Sequence, residues 1–443
     1  MRKAASSPVW IFNFGCRFSA ERPDATSRKM AADKLDEIAL SRDLSTNEMM
    51  MRANLANQSG DWQQTRQMYI DLISRNAKSE QIKASYCAQL IQRDNLSEAK
   101  RWLAQLTDGS SEKVQLQALI FAKENKAADA QKLLVSFAQH VRKETPAALA
   151  TVALAAEAAA KNDAAATNGK MSPLWGLAEQ LWQAFDKDNA ESESELALFY
   201  ARVPQGKRLT QALKLSRSEL QNALKENDEA ACMDYITVGI IGLHNSREAL
   251  GSNSKPFDEV EKWINACRAR EIASEYNLDR KLSELLEAKQ DKARLESLYK
   301  KLIQHPDASK LDQAIFRNNL AYMLAVSGRG QDALQVVEGA IDQLGPRGDL
   351  LDTRAMAYIA AGEHAKAVED LQSIDNRGES TASTLFHLAY AQSQAADADS
   401  AKETLNRSIE MGLDSDSLPQ EERQMLDSLV KQLGISLEKP SQG

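Results

Sequence analysis

Three features of the sequence predict an all-α solenoid of stacked helix-turn-helix units. Small residues recur on a fixed stride: Ala321, Gly328 and Ala333 are followed 34 residues on by Ala355, Gly362 and Ala367, and after the same interval by Ala389, Ala396 and Ala401. Helix formers dominate, with only 19 glycines and 10 prolines in 443 residues to interrupt them. Aromatic residues make up 6% of the chain, so small aliphatic side chains must supply most of the packing between closely spaced helices.

The C-terminal third sets the phase. In each unit a first helix carries Ala321, Ala355 or Ala389, a tight turn follows at Gly328, Gly362 or Ala396, and a second helix carries Ala333, Ala367 or Ala401. Small side chains at these points let two antiparallel helices approach, while Val337, Leu371 and Leu405, four residues further on, fill the space beside the contact. Neither helix of a pair can bury its apolar stripe alone, so each unit needs a neighbour, and the array shares one continuous core.

These residues resemble the tetratricopeptide repeat, a helix-turn-helix unit of about 34 residues with small residues in both helices and often a closing proline. "NNLAYMLA" and "LLDTRAMAY" are similar to stretches of bacterial multi-repeat members of that family. The resemblance implies a right-handed superhelix acting as a protein-binding scaffold, and carries no catalytic activity. Upstream, "RLESLYKKLIQHPD" reads as a second helix with Leu298 as its bulky residue and Pro306 as its stop. Near the other end "ANQSGDWQQTRQMYIDLI" and "LIQRDNLSEAKRWLAQL" are again offset by 34 residues, placing Gly60 over Asp94, Thr65 over Ala99 and Tyr69 over Leu103. "AKENKAADAQKLLVSF" follows at a shorter interval, with Ala130 and Leu134.

From about Thr145 to Asn277 helical periodicity persists while the repeat match fades. Here "SPLWGLAEQLWQAF" and "GKRLTQALKLSRSEL" read as second helices with Ala178 and Ala212 in the small positions, and two longer connections, "KNDAAATNGKMSP" and "HNSREALGSNSKPF", read as loops. After the last unit, "SLPQEERQMLDSLVKQLG" predicts one more helix, with Ser417 as cap, Pro419 early, Glu421 and Glu422 at the positive end and Gly434 as stop. Such a helix suits a terminal cap. The expected organisation is a poorly ordered segment at 1–23, tetratricopeptide-like repeats at 24–144, degenerate helical repeats with longer loops at 145–277, C-terminal repeats at 278–413, and a capping helix and tail at 414–443.

Composition narrows the function. A net charge of −8 without a basic run argues against nucleic acid, whose binding rests on clustered Lys and Arg, and biases the chain towards partners with basic segments. The four cysteines, Cys16, Cys87, Cys232 and Cys267, form no CxxC pair and read as structural thiols. The opening "MRKAASSPVWIFNFGC" carries an apolar patch at the lower limit of a secretory signal and broken by Asn13, and the alanine run from Ala147 to Ala160 is too short and is interrupted by Glu157 for a membrane span. A cytoplasmic location without membrane insertion is therefore expected; the alternative is export or membrane association, should the N-terminus act as a signal or the true start lie upstream.

Catalytic and metal-binding signatures are missing from the sequence. The five histidines, His140, His244, His305, His364 and His387, accompany no HExxH, GxSxG, P-loop or GxGxxG motif, and paired acids such as Glu421 and Glu422 read as a solvated face. No enzyme activity, cofactor or metal is expected. The candidate site is instead the concave face that first helices line in solenoids of this kind. Its outward positions include Ile315, Asn318, Tyr322, Asp352, Met356, Ile359, Phe386 and Tyr390, of which Asn318, Tyr322, Asp352, Met356, Phe386 and Tyr390 are the predicted partner-binding residues. Apolar and aromatic contacts would give affinity for a peptide or helix and Asn318 would give direction. The sequence thus points to a scaffold for other proteins, with self-association open, or alternatively to the docking part of a larger kinase, peptidase or glycan-processing assembly.

Overall fold

The computed structural model describes residues 34–435 except 59–61, 145–147, 167–170, 189–192, 414 and 416–417. The segment 1–23, Cys16, Gly60 and Ser417 lie outside the described residues. Among those described, every regular element is helical. Helical residues 34–41 form α1. Then follow α2 (Thr46–Gln58), α3 (Trp62–Arg75), α4 (Glu80–Gln92), α5 (Leu96–Leu103), α6 (Ser111–Lys123), α7 (Ala127–Glu144), α8 (Ala148–Lys161), α9 (Leu174–Asp188), α10 (Glu193–Arg202), α11 (Leu209–Glu226) and α12 (Glu229–Asn245). The rest are the single turn α13 (Arg247–Leu250), α14 (Lys255–Ala269), α15 (Glu275–Lys289), α16 (Lys292–Ile303), α17 (Lys310–Val326), α18 (Gly330–Leu344), α19 (Gly348–Ala361), α20 (His364–Asn376), α21 (Ala382–Gln394), α22 (Ala398–Glu410) and α23 (Gln420–Leu433). The chain divides into two compact units, one holding described residues 73–291 and the other 34–72 with 292–435.

In the second unit the stride of small residues becomes geometry. Ala321, Ala333, Ala355, Ala367, Ala389 and Ala401 are all 0% exposed, as are Val337, Leu371 and Leu405. Each hairpin turns through a residue in the left-handed region, Gly328 (φ 77°), Gly362 (φ 79°) and Ala396 (φ 66°). The next amide reaches back five residues in the same way each time: Arg329 to Leu324, Glu363 to Tyr358 and Asp397 to Gln392, all at 2.9 Å. This bond satisfies a carbonyl that the helix end would otherwise leave open. Helix starts are fixed too: Ser309 and Asp312 form a reciprocal capping box at α17, and the Thr381 and Asp397 side chains cap α21 and α22. Arg354 on α19 joins the pairs sideways, donating to Asp370 at 2.7 Å and to Glu338 at 3.0 Å.

The first unit uses the same turn with different residues. Asp94, Asn125, Asn227 and Gln290 all have φ between 54° and 60°, and the following amides close onto Leu90, Phe121, Ala223 and Leu286 at 2.8–3.0 Å. Asn and Asp tolerate this conformation better than other non-glycine residues. The alanine-rich α8 packs against α9, where its small side chains leave room for Trp175 and Trp182 in the core cluster. Glu157 of α8 is buried there: it accepts from Trp182 Nε1 at 2.6 Å and from Arg202 of α10 at 3.0 and 2.8 Å. A buried charge of this kind is tolerable only when so fully paired. Ala178 and Ala212 are fully buried, as the small positions of α9 and α11 require.

Candidate interaction site on the C-terminal repeats

The first helices of the C-terminal repeats, α17, α19 and α21, bring together side chains far apart in sequence. His387 of α21 is 2% exposed, and its Nδ1 lies 3.0 Å from the Asp352 carboxylate of α19. On the other side of the ring, Nε2 faces Glu422 of α23 at 3.5 Å, within ion-pair range but longer than a close hydrogen bond. The Tyr322 hydroxyl of α17 donates to the same Glu422 carboxylate. One residue back, Glu421 accepts from Lys292 Nζ of α16 at 2.8 Å. Glu421 and Glu422 stand in the first turn of α23, where the helix dipole favours negative charge.

Electrostatics follow from this packing. Burial opposes the charged form of His387, but the flanking carboxylates of Asp352 and Glu422 outweigh it and push the imidazole up to about 10. For Glu422, burial likewise favours the neutral form, yet the facing His387 ring and the Tyr322 hydrogen bond hold the carboxyl below its ordinary range. Tyr322 is raised by burial and by the neighbouring Glu422 charge, so it remains a donor. The cluster is a buried imidazolium between two carboxylates, capped by a phenol.

Beneath these polar groups lies an apolar cluster in which Phe386, Ala389 and Leu405 meet Leu418, Leu426 and Leu429, with Tyr390 at its edge. Of the predicted partner-binding residues, Tyr322 and Asp352 are thus in the polar cluster, while Phe386 and Tyr390 pack in the apolar one; Phe386 is 0% exposed. Met356, 3% exposed, is a core residue of α19 and presents no surface to an incoming chain. Asn318 stands one turn before Tyr322, with its Oδ1 buried and without a hydrogen-bond partner. Sequence reasoning missed Glu422, His387 and Lys292. The Glu421–Glu422 pair does not form a solvated face, because Glu422 is buried, and His387 meets Asp352 and Glu422.

Among the described residues no group of His, Cys, Asp and Glu could hold a metal ion, and no helix is long and apolar enough to cross a membrane. Cys87, Cys232 and Cys267 are buried free thiols. Burial pushes Cys87 and Cys267 up to about 12, which suppresses the nucleophilic thiolate.

What decides the repeat type is the recurring hairpin: one left-handed turn residue and one amide bonded to the carbonyl five residues earlier between paired helices, with fully buried alanines on a 34-residue stride in the C-terminal repeats. These are tetratricopeptide-like repeats. No protein-family model matches the chain, and no curated protein matches it. Among solved structures the tetratricopeptide-like chain is similar to yeast Tom70, at 14% identity over 92% of this chain and 95% of that one, with a TM-score of 0.41. It is also similar to a tetratricopeptide repeat protein from Parabacteroides merdae, at 16% identity over 59% of this chain and 92% of that one (TM-score 0.36). A third likeness is to the human IFIT1 dimer with m7Gppp-AAAA, at 15% identity over 93% and 86% of the two chains (TM-score 0.37).

Proposed function

We propose that the chain is a non-enzymatic protein-interaction scaffold whose first-helix face, on α17, α19 and α21, holds a helical or extended segment of another protein. The observation that carries this reading is the convergence of Tyr322 and His387, from two first helices, on one carboxylate borne by a helix laid against them, with Asp352 of the first helix between holding the far side of the His387 ring. Isolated repeat packing needs no such focus, since apolar contacts alone would close the array. The face also extends beyond that helix: Leu311 and Ile315, on the same stripe of α17 as Asn318 and Tyr322, are 51% and 45% exposed. A preformed surface of this kind loses little conformational entropy on binding. The buried thiols fit a reducing compartment, and we place the protein in the cytoplasm.

Photo-cross-linking in the native cell tests the reading. A benzophenone side chain at Ile315 should trap a defined partner, whereas one at the exposed Glu403 of the second helix α22 should not. Equal trapping from both positions, or none from Ile315, would sink the assignment of the face.

A further inference from the structure

The seat that α23 fills is a set of donors arranged for two neighbouring carboxylates. Lys292 reaches Glu421, while the Tyr322 hydroxyl and the His387 ring face Glu422. Asp352 holds the opposite ring nitrogen of His387 and so turns Nε2 towards the seat. Viewed from the incoming helix, the seat is therefore an ammonium, an imidazolium and a hydroxyl, with the one carboxylate set behind them. Its complement is negative, opposite in sign to what the chain's net charge of −8 would favour.

The apolar half of the seat is equally specific. Phe386 and Leu405 receive Leu426 and Leu429, which follow Glu422 by four and seven residues and so share its helix face. Glu422 and the leucines lie on one stripe of α23, with Glu421 beside it reaching Lys292. Alongside, Asn318 Oδ1 is buried without a hydrogen-bond partner, and Ile315 and Leu311 continue the α17 stripe as exposed apolar surface.

We propose that this seat is the scaffold's partner site and that α23 is its internal stand-in. The partner is an amphipathic helix with two adjacent acidic residues in its first turn and leucines four and seven residues after the second of them. It binds by displacing α23, which keeps the site closed until such a helix is present at sufficient concentration. This inference rests on the scaffold reading above and names the partner chemistry for it.

The test uses the full chain and two labelled peptides. One copies residues 418–435; the other is an unrelated helical sequence that keeps only the two glutamates and two leucines. Fluorescence anisotropy compares wild type with Leu426→Asp/Leu429→Asp, which removes the anchors of α23. Both peptides should bind the opened chain at least about tenfold more tightly than wild type. Peptides with glutamine in place of both glutamates should lose at least about tenfold, as should the opened chain carrying His387→Ala. Circular dichroism checks the fold; if the aspartates unfold the last repeat, the milder Glu421→Gln/Glu422→Gln chain carries the same comparison. Equal binding by opened and wild-type chains, or by glutamate and glutamine peptides, would overturn the proposal. So would a wild-type dimer that the Leu426→Asp/Leu429→Asp change dissociates, since the occupant would then be a second copy. Cross-linking from Ile315, outside the seat, reports on the scaffold separately: a trapped partner with no peptide binding leaves the scaffold standing and this inference refuted.

Discussion

The Glu422 carboxylate accepts a hydrogen bond from the Tyr322 hydroxyl, 100 residues earlier in the chain. His387 stands between that carboxylate and Asp352, so a contact at the end of the repeat array is also an electrostatic link across α17, α19, α21 and α23. Because the cluster is buried, its groups are strongly coupled, and removing one leaves another without its partner.

The pH dependence of the C-terminal unit follows from the signs of the shifts. His387 is raised from 6.5 to about 10 in the folded chain, so its contribution is fully present below pH 6.5 and is lost as pH rises towards 10. Glu422 is lowered from 4.5, so its contribution is present above pH 4.5 and is lost as pH falls through its folded value. The difference in melting temperature between wild type and His387→Gln should therefore be largest between about pH 4.5 and 6.5 and shrink steadily towards pH 9–10. A difference that grows with pH would show that the imidazole is buried neutral.

Ala396 takes a left-handed conformation at the turn where the two preceding repeats have Gly328 and Gly362. For an L-residue this conformation costs about 1–2 kcal/mol, so Ala396→Gly should stabilise the last repeat by roughly 1 kcal/mol after the entropic cost of glycine. Hydrogen exchange of α21 and α22 amides reads the gain. Gly330 provides the opposite case: a Cβ there would run into the Ala361 backbone nitrogen and stand 2.7 Å from the Ala357 oxygen. Gly330→Ala should lower stability by about 1–3 kcal/mol, because backbone cannot move aside as a flexible side chain can.

The Glu157–Arg202–Trp182 network makes a distinct prediction for the first unit. With both charged side chains buried, Glu157→Ala takes the buried carboxylate away from the Arg202 guanidinium and should cost about 3–5 kcal/mol. Glu157→Leu combined with Arg202→Met should recover most of that loss. Urea unfolding followed by the fluorescence of the buried tryptophans measures both.

The repeats could be read from the sequence because their requirements are local. Helix approach demands alanine at fixed points, and the turn demands glycine or a tolerant substitute. The first unit hid its turns by placing Asp94, Asn125, Asn227 and Gln290 where glycine was sought; a polar residue at the helix C-terminus was the available signal. Glu157 looked like an interruption of an alanine run because its partners lie 25 and 45 residues further on. The cluster at Glu422 gave no local sign either. Two acids before an apolar helix satisfy the helix dipole whether or not they meet a buried histidine, and His387 occupies a position next to the core residue Phe386 that sequence alone leaves undecided.

Hydrogen exchange of the α23 amides in a double-mutant cycle of Tyr322→Phe and Glu422→Gln measures whether the terminal helix is held on the first-helix face by this contact. The two substitutions should be coupled by about 1–3 kcal/mol in the free energy of local opening, the double variant losing little beyond either single one. Additivity within about 0.3 kcal/mol would mean that the two residues do not interact, and that α23 is seated by its leucines alone.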